Sequence, residues 1–175
     1  MFRQAWEKGT EMTFGLIVIE GLVVCFIVLL CCVIGIANGP QGMAFFYEKE
    51  VQERAIAGGL ITKEALDRNL KRFKLIGMGI MFVFILLAVY GLNGARGFLE
   101  GFWQILAVLM IEGVFDRIFI DWYWVCCTRA WVIQGTEDMQ PYISKKVFVK
   151  KWVMTLIGFP AISAILSGIM CLFLK

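Results

Sequence analysis

Three observations predict an all-α, polytopic membrane protein built as a four-transmembrane-helix bundle with a cytoplasmic helical hairpin. Hydrophobic residues make up 60% of the 175-residue chain and the mean hydropathy is +0.78, whereas a soluble domain is about 45–50% apolar. The excess is gathered into four runs at about 12–37, 75–93, 98–127 and 152–174. Each reaches or exceeds the roughly 20 residues that a helix needs to cross about 30 Å of hydrocarbon. The basic residues collect in two of the connections, 38–74 and 128–151. Four spans account for the whole chain, so a single membrane domain over 1–175 is expected.

The charge distribution sets the expected orientation. Segment 38–74 holds Lys49, Arg54, Lys63, Arg68, Lys71, Arg72 and Lys74, and segment 128–151 holds Arg129, Lys145, Lys146, Lys150 and Lys151. Only Arg3, Lys8, Arg96 and Lys175 fall on the other side. The positive-inside rule places the two basic connections in the cytoplasm and both termini outside, in a plasma or inner membrane.

The elements follow in order. Residues 1–11 mix Arg3, Glu7, Lys8 and Glu11 with Phe2 and Trp6, a pattern suited to a short amphipathic turn on the outer surface. The first run lacks a small-residue cleavage site and is expected to remain as a span. It carries Glu20 about 10 Å below its outer end, at 1.5 Å per helical residue, and it stops at Asn38-Gly39-Pro40-Gln41-Gly42. Residues 48–74 predict two cytoplasmic helices broken at Gly58-Gly59, with Thr62 capping the second and Glu64 in its first turn. Ile56, Leu60, Ile61, Leu66 and Leu70 give this hairpin an apolar side. The second run has no charge and several small residues (Gly77, Gly79, Ala88, Gly91), which predicts close helix packing. A short turn at Asn93-Gly94 then makes the second and third spans antiparallel neighbours.

The third run is unlike the others because it carries Glu112, Asp116, Arg117 and Asp121. Ionised groups at membrane depth cost about 2.5–3.5 kcal/mol each on insertion scales and normally face protein or water. At about 100° per residue, Glu112 and Asp116 share one face, while Arg117 and Asp121 share another and are placed to pair. Trp122-Tyr123-Trp124 marks the inner interface, so Asp121 is shallow and Glu112 lies deepest. Beyond it, Thr136 is expected to cap a short acidic turn ended by Pro141, and Ser144 to cap the basic lead-in to the fourth span. Pro160 is expected to kink that span, and Ala161, Ala164 and Gly168 with Ser163 and Ser167 form two small-residue rows.

Two carboxylates within one helical turn can hold a cation or share a proton. Glu20, Glu112, Asp116 and Asp121 descend in depth, which suits an ion or proton pathway with Arg117 as charge partner. The expected function is therefore a small transport protein passing a cation or a proton-coupled solute, non-enzymatic and without a cofactor. Four spans suggest a homo-oligomer or a membrane partner protein, surrounded by membrane lipids. The alternative is a non-catalytic subunit or scaffold that docks a partner through its cytoplasmic hairpin. A lipid-handling enzyme using Asp116 and Asp121 has no nucleophile motif behind it.

Several classes lose support on composition. The chain contains no His, which disfavours His-based catalytic dyads, histidine-ligated haem and conventional zinc hydrolases. No phosphate loop, dinucleotide fingerprint or nucleophile elbow occurs. The aromatic residues belong to spans and interfaces, so no nucleic-acid partner is expected. The six cysteines (Cys25, Cys31, Cys32, Cys126, Cys127, Cys171) sit in or beside apolar runs, where a free thiol packs as a small hydrophobe. Cys31-Cys32 and Cys126-Cys127 fall at the same membrane face, but they lack the spacing of a soft-metal site, and no metal is expected.

Overall fold

The computed structural model describes the backbone of residues 2–174 and the side chains of residues 14–174. These residues are 81% helical, with no strand among them. Helix α1 spans Phe2–Ile36. A 3₁₀ turn at Pro40–Phe46 leads into α2 (Lys49–Ala57) and α3 (Lys63–Arg72). α4 covers Gly79–Leu86, α5 Phe98–Phe115 and α6 Lys145–Phe173. Four helices are long and apolar enough to cross a membrane: Phe14–Ile36, Lys63–Leu92, Phe98–Val125 and Lys145–Phe173. The expected amphipathic turn over residues 1–11 concerns side chains outside the described residues.

Local sequence accounts for most boundaries. Gly39, at φ 103°, ends the first helix where a side chain would be strained, and Pro40 follows at the first position of the 3₁₀ turn. Gly59 (φ 70°) breaks the hairpin where the Gly-Gly pair predicts it. Thr62 Oγ1 accepts a hydrogen bond from the Ala65 N–H at 3.2 Å and so caps α3. Ser144 Oγ likewise accepts from the Val147 N–H at 3.4 Å, opening α6. Thr136 departs from its expected role. Its hydroxyl donates to the Ile133 carbonyl at 2.8 Å and lies 2.8 Å from the Tyr142 hydroxyl, and it makes no cap. A buried tyrosine offers a better partner than the N–H groups of a three-residue turn.

The hairpin differs from the sequence reading in one respect. α3 does not end before the second span: a π-helical stretch, Phe73–Met78, joins it to α4, so one helical rod runs from Lys63 to Leu92. No Gly or Pro lies between Arg72 and Gly77, and nothing there stops the helix. Part of the hairpin's apolar side turns inward: Leu66 is buried with Val51 and Ala55 in one cluster with Tyr47, Trp131, Ile133 and Tyr142, and Ile56 and Ile61 pack against it, whereas Leu60 is exposed. The Tyr47 hydroxyl donates to the Trp131 carbonyl at 2.7 Å, and the two tyrosine rings, Tyr47 and Tyr142, stack at 4.7 Å.

α5 is the central helix: its most extensive packing is with α6 and α1. Close approach rests on glycine. A Cβ at Gly21 would sit 2.7 Å from Ile111, and one at Gly113 would sit 2.6 Å from the Phe159 ring and 2.8 Å from the Thr155 methyl. Only one of the two small-residue rows of α6 packs. Ser163 and Ser167 are buried with Thr155, whereas Ala161 is exposed and nothing comes within 4 Å of a Cβ at Gly168. α6 itself runs through Pro160 as one helix.

Candidate functional site

Two separate apolar clusters make up the interior. One contains Val24, Ile85, Val89, Ile105, Val108 and Leu109; the other contains Cys32, Ile120, Val125 and the hairpin and loop residues around Trp131. Along Phe98–Val125 the buried residues of the first cluster end at Leu109 and those of the second begin at Ile120. Glu112, Asp116 and Arg117 fall between them and, with Asp121 just past Ile120, form a polar layer beside the junction of the two clusters, where Val28 packs against both.

The pairing within that layer adds to the sequence reading. Asp116 was expected to share a face with Glu112, opposite Arg117 and Asp121. In the structure Arg117 bridges both aspartates, donating through Nη2 to Asp116 and through Nη1 to Asp121. Arg117 is the sequence neighbour of Asp116 and lies one i,i+4 step from Asp121, and its guanidinium spans the two carboxylates from within the π-helical stretch Asp116–Val125. The Arg117–Asp121 pair itself forms as its i,i+4 spacing predicts.

α6 supplies a fourth member that the sequence reading does not place in the site. Lys151 Nζ donates to Asp121 Oδ1 at 2.7 Å. Two acids and two bases therefore balance across α5 and α6. No motif announces Lys151, since it is one of four lysines in seven residues. Its single-residue signal is position: it is the last charge before the apolar run.

Glu112 stands apart from this network. It is 6% exposed and forms no salt bridge among the described residues. Ile111 before it packs on Gly21 of α1, and Gly113 after it packs on Phe159 of α6. Glu112 therefore occupies the arc of α5 between those two contacts. Cys25 marks the α1 side of this region, with its Sγ directed at the Ile111 carbonyl at 3.9 Å.

Glu20 belongs to a second polar group nearer the turn at Asn93. It is 5% exposed, and Asn93 Nδ2 donates both to Glu20 Oε2 at 3.2 Å and to Gln104 Oε1 at 2.9 Å. Gln104, on α5, is buried. It was not singled out from the sequence, although a lone amide inside an apolar run is a usable signal. Close by, the Tyr90 and Ser167 hydroxyls meet at 3.2 Å, and Ser167 Oγ donates to the Phe98 carbonyl at 2.6 Å. The four acids thus divide into three settings: Glu20 with the Asn93 amide, Glu112 without an ionic partner among the described residues, and Asp116 with Asp121 in a closed ion-pair network.

The cysteines are free, and Cys126 packs against the cluster that holds Cys32. Among the described residues no group of three or more His, Cys, Asp or Glu side chains is arranged to hold a metal ion. No family model, curated protein or solved structure matches this chain.

Proposed function

We propose that the chain is an integral membrane transport protein, inserted as a four-helix bundle with its basic connections in the cytoplasm and both termini outside. It passes a proton or small cation along buried carboxylates, and Glu112 is the group that exchanges it. Glu20, held by Asn93, receives the ion from the outer side. Asp116 and Asp121 lie at the inner end of the path with Arg117, and a second copy of the chain helps to enclose it.

One observation carries the reading: Glu112 is buried in a polar layer at the junction of two apolar clusters, beside an ion-pair network that is already balanced. Asp116 and Asp121 have bases to neutralise them. A carboxylate in the same layer without one is a place for a proton or a cation to reside. The scaffold reading is less well served, because Ile56, Ile61 and Leu66 of the hairpin pack into the chain's own core.

The test is flux in proteoliposomes carrying an internal pH dye, under an imposed membrane potential. The parent chain is expected to dissipate the gradient faster than empty vesicles, and Glu112→Gln to bring the rate back to that background. Parent vesicles no leakier than empty ones, or full flux in Glu112→Gln, would overturn the proposal. Replacing the external cation at constant pH gradient separates proton passage from sodium or potassium passage.

A further inference from the structure

A shallow apolar groove of about 600 Å³ runs along the outside of the Lys63–Leu92 rod, lined by Leu75, Ile76, Gly79, Ile80, Val83, Phe84 and Leu87. Its walls are two rows at i,i+4 spacing: Leu75, Gly79, Val83 and Leu87 in one, and Ile76, Ile80 and Phe84 in the other. Gly79 makes the floor, since a Cβ there would meet nothing within 4 Å. The lining is among the most exposed apolar surface of the chain, Leu75 being 79% exposed.

The same two rows lead upward into charge. One turn before Leu75 and Ile76 stand Lys71 and Arg72, with Lys74 beside them, all exposed. None of the three forms a salt bridge among the described residues. Phe73 fixes their direction. Its ring turns inward against Phe46 at 4.9 Å and Phe45 at 5.8 Å, which leaves its neighbours Arg72 and Lys74 pointing away from the core. From Leu75 to Leu87 the groove measures about 18 Å at 1.5 Å per residue, close to the roughly 15 Å of one hydrocarbon leaflet.

We infer that this face is a binding site for one anionic phospholipid, its phosphate headgroup on Lys71, Arg72 and Lys74 and one acyl chain in the groove floored by Gly79. The fit is one of charge and of length. Unpaired bases cap the groove at one end, and the groove is as long as a lipid tail. The inference rests on the membrane placement proposed above and not on ion passage, so a chain with selective lipid retention and no flux would sink the transport reading alone.

The experiment is native mass spectrometry of the full chain released from detergent with equimolar phosphatidylglycerol and phosphatidylcholine. Each base near an anionic headgroup is worth about fivefold in affinity, so the three together predict a preference for phosphatidylglycerol on the order of 100-fold. The triple variant Lys71→Gln, Arg72→Gln, Lys74→Gln is expected to bring that ratio near unity. Gly79→Leu, which fills the groove and suits a helix, is expected to lower retention of both lipids. The matching triple Lys145→Gln, Lys146→Gln, Lys150→Gln should keep the preference. Equal loss in that second triple, or unchanged retention in Gly79→Leu, overturns the site. So does a lipid-free dimer that cross-links through cysteines placed at Ile76 and Ile80, which would assign the groove to a second copy of the chain.

Discussion

Replacing Arg117 with methionine tests the polar layer most directly. The Arg117 side chain is 12% exposed and donates to both Asp116 and Asp121. The two acids would not suffer equally. Asp121 keeps Lys151 at 2.7 Å, whereas Asp116, 20% exposed, loses the base it pairs with. Removing one partner of a buried ion pair costs about 3–5 kcal/mol, chiefly because it strands the other charge. Arg117→Met is therefore expected near that range, and Lys151→Met, which leaves Asp121 paired with Arg117, below about 2 kcal/mol. Adding Asp116→Asn to Arg117→Met removes the stranded charge and should restore at least about 1 kcal/mol, a coupling of the size that contacting residues show. The assay is reversible unfolding of the micelle-bound chain in a denaturing detergent, followed by helical circular dichroism. If Arg117→Met lies within about 1 kcal/mol of the parent, or the double variant is no more stable than the single one, the bridge is not what neutralises this layer.

Three further outcomes are expected. Gly113→Ala forces a methyl against Thr155 and Phe159 and should destabilise by about 1–3 kcal/mol, less about 1 kcal/mol from better helix propensity; Gly158→Ala, with nothing within 4 Å, keeps the propensity gain alone, and thermal unfolding should rank the two on either side of the parent. Burial holds the Tyr47 phenol above its ordinary range, so it stays a donor to the Trp131 carbonyl; Tyr47→Phe leaves that buried carbonyl unpaired and should cost about 1–3 kcal/mol in the same assay. The hydrogen bond and charge of Arg54 hold the exposed Asp138 carboxyl below its usual value. Because the folded value is the lower one, this stabilisation is present above about pH 3.9 and is lost as pH falls through the folded value. Asp138→Asn should flatten the acid limb of a stability–pH curve at low salt, and added salt should shrink the difference.

The sequence by itself determined the helical class, the four apolar helices and most of their ends, because those depend on composition and on local chemistry. Gly39-Pro40, Gly58-Gly59, the Thr62 cap and the Ser144 cap act within a few residues of themselves. It also identified Glu20, Glu112, Asp116, Arg117 and Asp121 as the residues that an apolar helix must explain. What it could not determine was who pairs with whom. A helical wheel sets Asp116 and Arg117 on different faces, yet the Arg117 guanidinium spans Asp116 and Asp121. Lys151 joins the network from 30 residues away, and Asn93 links Glu20 to Gln104 only once α1 and α5 have packed together. These contacts are set by distances between helices, which no single stretch of sequence contains. The tertiary structure decided, for the same reason, that Glu112 stays outside the ion-pair network that Asp116 and Asp121 form with Arg117 and Lys151.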